Sequence, residues 1–246
     1  MDHSLYVAMT GATQIMRAQE AVSNNLANAS TVGFKSEMTA FQSLPVQGSG
    51  QPTRINVVAQ GIGQDPGQGA TTSTGRSLDV AVKGSGWIAV QAPDGSEGYT
   101  RAGDLQLTAD GQLTDARGNP VLGSAGPINL SDSAKISIGD DGTISTVPLG
   151  SGPNSEATLD RIRLVNPDPT QLVQGGDGLM HMANGGQAAA DSSVRVTSGA
   201  LEDSNVNVSD QLVQMIALSR QYDMQIKSIK SAEDNAATSS KLLQPN

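Results

Sequence analysis

The chain has no cysteine, and only six of its 246 residues are aromatic. The missing thiols exclude disulfide staples, thiolate metal centres and cysteine nucleophiles, and suit a protein that leaves the cytoplasm without oxidative folding. With only Tyr6, Phe34, Phe41, Trp87, Tyr99 and Tyr222 as aromatics, the core must rest on Val, Leu, Ile, Ala and Met. No stretch approaches 18 apolar residues, so no membrane insertion is expected. The first 30 residues hold one basic residue, Arg17, and no apolar run, so no Sec-type signal is expected. A cytosolic resident and a substrate of another export route both fit that reading.

Proline and glycine are missing from the two ends. Residues 1–44 and 200–243 contain no proline and only Gly11 and Gly33, whereas 26 of the 28 glycines lie between Gly48 and Gly199. Both residue types break helices, so their exclusion predicts helical termini around a turn-rich middle. The fold class expected is α+β: a discontinuous terminal helical coiled-coil hairpin with an inserted mainly-β domain. The expected boundaries are 1–44 plus 200–246 for the helical assembly region, 45–77 for an extended linker and 78–199 for the β-rich domain.

Both ends carry heptads. Leu5, Ala8, Ala12, Ile15, Gln19, Val22 and Leu26 follow one another at steps of three and four. So do Val208, Leu212, Met215, Ser219, Tyr222, Ile226, Ile229, Glu233, Ala236, Ser240 and Leu243. That is the coiled-coil period. Asn207 with Asp210 three residues on marks the start of the second helix, and Asp223 with Lys227 forms a favourable i,i+4 pair. An ordinary hairpin closing one domain satisfies the spacing as well as an interface does. The seam residues favour the interface: many are small or polar, so an isolated pair buries too little apolar surface to offset its ordering. Such arms are expected to be frayed alone and ordered by neighbouring subunits.

The middle alternates in short runs. Leu78–Val82, Trp87–Val90, Lys135–Ile138, Thr143–Ser145, Leu159–Val165 and Val194–Val196 read as strands, and Asp110-Gly111 between Leu107 and Leu113 reads as a hairpin turn. A sandwich or small irregular barrel would accommodate them. Residues 60–77, rich in Gly, Gln, Thr and Ser, read as a linker or poorly ordered loop.

Motifs of site chemistry fail one by one. Gly84-Ser85-Gly86-Trp87-Ile88-Ala89 has the shape of a dinucleotide fingerprint, but its continuation is β-like, where that motif needs a helix. A hairpin is the better account. His3 and His181 have no second ligand at metal spacing, and Asp140-Asp141-Gly142 lacks the alternating acids and closing Glu of a calcium loop. The sequons at Asn28 and Asn207 fall in or beside the helical arms. No catalytic, cofactor-binding or metal-binding residue is assigned, and no enzyme is expected. Net charge is −9, and residues 59–200 hold fifteen acids against eight bases. An acidic middle argues against nucleic acid, and ordinary solvated loops account for most of it.

Four segments resemble a known family. Ser23-Asn24-Asn25-Leu26-Ala27-Asn28-Ala29-Ser30-Thr31-Val32-Gly33-Phe34-Lys35 is similar to the N-N-L-A-N-x-x-T-x-G-[FY]-[KR] motif of bacterial flagellar rod and hook proteins. Leu78–Trp87, the Tyr99-Thr100-Arg101-Ala102-Gly103-Asp104 block and Leu201-Glu202-Asp203-Ser204-Asn205-Val206 resemble that family's other motifs. Asp104 and Leu105 stand where relatives often have Asn or Asp and Phe. Within the family, the opening Met1–Tyr6 and the length look most like the proximal-rod subunit that carries a β domain. A distal-rod or hook subunit is the alternative, and a secreted β-domain binding module is the rival from another class.

The resemblance implies a structural subunit that polymerises through its terminal helices into the torque-transmitting rod across the periplasm. It implies flagellar type III export, with partners among its own copies, other rod subunits and the export apparatus. The residues expected to carry assembly, from the heptads and the family-like segments together, are Leu5, Ala8, Ala12, Ile15, Val22, Asn24, Asn25, Leu26, Asn28, Gly33, Phe34, Leu212, Met215, Tyr222, Ile226, Ile229 and Leu243.

Overall fold

In a computed structural model, which describes residues 3–45, 55–130, 133–148 and 157–242, the breaker-poor ends contain two long helices. Helix α1 covers His3–Ala27 and α2 covers Val208–Leu242, 25 and 35 residues, or about 37 Å and 52 Å at ~1.5 Å per residue. Asn207 caps α2: its Oδ1 accepts from the backbone N–H of Ser209 at 3.0 Å and of Asp210 at 3.4 Å. The chain divides into two compact units. The first joins Met1–Ala29, Glu37–Ile62 and Val206–Asn246; the second comprises Ser30–Ser36 and Gly63–Asn205.

In the first unit the helices run antiparallel. Asn25 Nδ2 meets Gln211 Oε1 at 3.4 Å near one end, and a Cβ on Gly11 would lie 3.4 Å from the Gln225 amide carbon further along. Helix α1 buries Ala8, Ala12, Ile15, Ala18 and Val22, with Leu5, Gln19 and Leu26 half-buried, so the predicted α1 seam is the packed one.

The α2 seam differs from expectation. Its shielded positions are Gln211, Met215, Leu218, Tyr222, Gln225, Ile229 and Ala232. Met215, Tyr222 and Ile229 are shared with the expected face, but Leu212, Ser219, Ile226 and Glu233 turn to solvent one position away, and Val208 is exposed too. The cause is local. Gly11 and Asn25 on α1 leave room for amides, so Gln225 and Gln211 take inward places that a count of apolar residues assigns to Ile226 and Leu212. Leu243 lies outside the described residues.

Strands β1 (Glu37–Pro45) and β2 (Ile55–Gln64) pair as a two-stranded sheet of this unit, with the last two residues of β2 assigned to the second. Residues 37–44, grouped on sequence with the helical end, are therefore strand. Thr, Phe and Ser at alternate places favour extended backbone there.

The second unit is mainly β, with one short 3-10 turn at Pro169–Gln171: β3 (Thr71–Ser73), β4 (Val80–Lys83), β5 (Trp87–Gln91), β6 (Glu97–Thr100), β7 (Gln106–Leu107), β8 (Leu113–Thr114), β9 (Ser133–Ile138), β10 (Thr143–Pro148), β11 (Ala157–Arg161), β12 (Leu164–Val165), β13 (Leu172–Gln174), β14 (Met180–Met182), β15 (Arg195–Ser198) and β16 (Ala200–Glu202). The largest sheet has the order β12-β5-β6-β14-β13, and β11-β10-β9 forms an antiparallel meander. The pairs β15-β4, β16-β3 and β7-β8 complete it. Strand β5 serves two clusters by simple alternation. Ile88 and Val90 face the main core with Val80, Leu105, Leu113 and Ile144, while Ala89 faces Tyr99, Val165 and Met180. The Tyr99 hydroxyl, fully buried, accepts from the Ala188 N–H at 2.7 Å.

Two expectations change here. Residues 60–77 are not simply a linker: β2 extends to Gln64, and β3 pairs antiparallel with β16, Thr72 opposite Leu201. Hence residues 200–205 also belong to the β unit. The Gly84–Gly86 turn is not a hairpin either, because β4 pairs with β15 and β5 with β6 and β12. It carries the chain from one sheet to another, and a Cβ on Gly86 would press to 2.7 Å from Val194 Cγ1.

One carboxylate sits badly in this unit. Asp104 Oδ1 is buried without a hydrogen-bond partner, and desolvation, reinforced by Asp115 and Asp79, raises its pKa above the usual carboxylate value. A raised folded pKa means that ionised Asp104 costs stability at neutral pH, and that this cost fades as pH falls through the folded pKa toward the unfolded value. Asp104→Asn is therefore expected to raise the melting temperature by about 2–4 °C at pH 7, a gain that shrinks as pH is lowered toward 4. Thermal denaturation across that range checks it; an equal gain at every pH would contradict it.

Candidate assembly surface

The Asn-rich end of α1 is a fastening point. Buried Asn25 imitates a backbone strand: its Nδ2 donates to the Glu37 carbonyl at 2.9 Å and its Oδ1 accepts the Glu37 N–H at 2.8 Å. With its contact to Gln211, one side chain ties α1, β1 and α2 together. Asn28 Nδ2 donates to the Asn24 carbonyl at 2.9 Å and to Asn24 Oδ1 at 2.8 Å, reinforcing the backbone bond that the Asn28 N–H makes to the same carbonyl at 3.1 Å. Gln14 Oε1 accepts the Ala59 N–H at 2.9 Å, a second tie from α1 to β2.

Lys35, Arg101 and Glu202, each from a different family-like segment, converge within the β unit. Glu202, 2 % exposed, is the centre. Its Oε1 accepts from Lys35 Nζ at 2.7 Å and from the Gly69 N–H at 3.1 Å; its Oε2 accepts from Arg101 Nε at 2.9 Å and forms an ion pair with Nη2 at 2.7 Å. Arg101 also donates to the carbonyls of Gly86, Val82 and Gly84 at 2.9–3.2 Å, with Trp87 stacked 6.0 Å from its guanidinium carbon. Lys35 donates to the Gly67 carbonyl at 2.6 Å. Burial lowers the Lys35 pKa, and the bond to Glu202 opposes that shift.

Around this cluster the connecting strands are stitched. Gly33 N–H donates to the Glu202 carbonyl at 2.7 Å, and Asn205 Oδ1 accepts the Ser36 N–H at 2.7 Å. Asn205 Nδ2 reaches the carbonyls of Asp65 and Gly67 at 3.2 and 3.0 Å. Gly33 has φ +68°, and any Cβ there would overlap the Arg101 carbonyl, so no other residue fits. Phe34 is half-buried beside it. The structure thus gives Gly33, Asn25 and Asn28 folding roles inside their own units.

Surface left for a partner lies elsewhere on the helical unit. On α1, Tyr6, Met9, Thr13, Met16, Glu20 and Ser23 are exposed at heptad spacing, with Tyr6 at 57 % and Met9 and Met16 at 50 %. On α2, Val213, Ile216, Arg220, Met224 and Lys227 form a corresponding exposed stripe, Val213 at 68 %. Phe41, Leu44, Val57, Leu212 and Ile226 add further exposed apolar area. A second heptad on each helix is a signal that the sequence held: Tyr6, Met9 and Met16 stand one position from Leu5, Ala8 and Ile15. It escapes a reading that looks for one seam per helix. Exposed apolar surface on this scale marks an interaction site.

The residues considered for other chemistry serve structure. His181 Nε2 lies 2.9 Å from Asp177 Oδ2, and its Nδ1 lies 3.1 Å from the Glu97 carbonyl. Asp141 accepts from the Thr143 N–H and hydroxyl, closing the β9–β10 turn. Among the described residues no group of three or more His, Asp or Glu could hold a metal ion, and no helix is long and apolar enough to cross a membrane.

Known proteins match along the whole chain. Residues 5–35 fit the family model "Flagella basal body rod protein", 81–146 the "Flagellar hook protein FlgE/F/G D1 domain" and 197–242 the "Flagellar basal body rod FlgEFG protein C-terminal". The flagellar basal-body rod protein FlgF of Escherichia coli K12 is 43 % identical over 249 residues, covering 99 % of both chains. FlgF of Salmonella typhimurium is 41 % identical over the same share, and FlgG of Bacillus subtilis 30 % identical over 95 % of this chain and 96 % of its own.

Removing the Glu202 carboxylate strands two buried cations. Glu202→Ala is expected to cost about 3–5 kcal/mol of β-unit stability, read as a fall in the urea midpoint. Arg76→Ala, which leaves the buried Asp79 carboxylate with the Thr74 hydroxyl as its side-chain partner, is expected to cost less, about 2 kcal/mol.

Proposed function

The chain belongs to the flagellar basal-body rod protein family, and from that premise we propose that it polymerises through its terminal helices into the proximal rod, the shaft that transmits torque across the periplasm. That the chain is a structural subunit of the rod, associating with other rod subunits, follows from the family itself. The observation that carries the finer reading is the second, outward heptad on each helix. A hairpin serving only to close a domain has no use for Met9, Met16, Val213, Ile216 and Met224 in solvent.

The inward residues Leu5, Ala8, Ala12, Ile15, Val22, Met215, Tyr222 and Ile229 shape the hairpin that presents those stripes. Leu212 and Ile226, exposed beside the seam, join the presented surface. Asn24, Asn25, Leu26 and Asn28 hold the end of α1, while Gly33 and Phe34 serve the β unit. Export by the flagellar type III apparatus fits a chain without cysteine, which needs no oxidative step to refold after passage. The acidic β unit would lie toward the outside of the tube, where net charge favours solvation.

The test is a pair of outward substitutions. Met9→Glu and Ile216→Glu lie on exposed positions, so the purified chain is expected to keep its helix content, and its unfolding free energy within about 0.5 kcal/mol. Cells carrying either are expected to lose swimming in soft agar and to lack the subunit in purified basal bodies. Normal incorporation of both variants would refute assembly through these faces.

A further inference from the structure

A polar groove crosses the helical unit between α1 and the β1–β2 sheet, with a volume of about 420 Å³. Ala21 and Ala59 contribute small side chains to it and Gly61 bare backbone, Glu20 and Glu37 supply acid, and among the described residues Arg17 is its one cation. The outward stripe of α2 has the opposite character: Arg220 and Lys227 stand one heptad apart among Val213, Ile216 and Met224, with Asp223 beside them. Among the described residues neither Glu20 nor Glu37, and neither Arg220 nor Lys227, carries an ion pair. We propose that this groove receives the outward α2 stripe of a second copy of the chain, with Arg220 and Lys227 meeting Glu20 and Glu37.

One molecule cannot make this contact with itself. At ~100° per residue, Val213, Ile216, Arg220, Met224 and Lys227 lie roughly opposite the face that Met215, Leu218 and Tyr222 turn to α1. The groove is flanked by α1, so the stripe of the same chain points away from it. Two complementary surfaces that differ and cannot meet within a molecule make a heterologous contact, which adds copies in a line or helix. Small residues in the groove let a helix approach closely, and opposed charges fix its register.

The inference rests on the reading of the chain as a polymerising rod subunit, and the test separates the two. Because the chain has no cysteine, engineered thiols report on single contacts. Thr39→Cys in the groove is combined in turn with Ile216→Cys, Arg220→Cys and Met224→Cys, and basal bodies are oxidised and run on denaturing gels. At least one pair is expected to give disulfide-linked dimers and higher multiples. Incorporation without crosslinking from any of the three pairs overturns the docking and leaves the rod reading intact. Absence of the unaltered chain from basal bodies overturns both.

A charge cycle guards against thiol variants that fail to fold. Glu20→Lys with Glu37→Lys is expected to lower incorporation about tenfold, regained when Arg220→Glu and Lys227→Glu are added to the same chain. Additive losses in the combined variant overturn the pairing.

Discussion

A single buried carboxylate sets the geometry of the β unit. Glu202 faces two cations, Lys35 and Arg101, with almost no solvent to share the charge. One anion cannot balance both, so backbone takes up the rest: the carbonyls of Val82, Gly84, Gly86 and Gly67 accept the remaining donors. Backbone also packs closely beside the cluster: at Gly69 a Cβ would overlap the Asp203 carbonyl oxygen. Buried ion clusters give little net stability, but a broken one is costly, which makes this arrangement close to all-or-none.

Around the same cluster the ends of the β unit's own segments are fastened. The polypeptide enters or leaves the β unit at residues 30, 36, 63 and 205. Gly33, Lys35 and Ser36 fasten the first two; Asp65, Gly67 and Gly69 fasten the third; Glu202 and Asn205 fasten the last. Residues remote in sequence, 167 apart for Lys35 and Glu202, are thus locked where the connections begin and end. Motifs that the sequence marks for assembly can therefore serve folding within their own unit.

Helical ends, their caps and the α1 seam were legible because each is written in nearby residues: absent breakers, Asn207, and a three-four spacing. The α2 register was not, because polar Gln211 and Gln225 occupy inward places that only the partner helix makes acceptable. Nor was β3, three exposed residues, Thr71–Ser73, whose strand state comes wholly from pairing with β16. The cluster around Glu202 was visible as motifs but not as a contact, since spacing carries no information across such separations. The outward heptads were legible in principle. Two periodic patterns one residue apart on the same helix resemble a single broad face, and only the burial pattern separates them.

That burial pattern bears on how a thin seam could belong to a rigid shaft. The α1 face is largely alanine: Ala8, Ala12 and Ala18 bring the helices close and bury little per residue. An isolated pair on such a seam gains modest hydrophobic energy, since each methyl contributes little. Close approach has a different benefit, because short interaxial distance leaves the larger Met, Val and Ile side chains free for outer faces. If those faces are covered by neighbours, as proposed, every helix would contact more than one other helix. Stiffness would then scale with the number of seams, each held to the seven-residue period that keeps a contact in register along its length. A hairpin that economises on its own closure is, by that argument, better suited to a polymer than one that buries its best residues within itself.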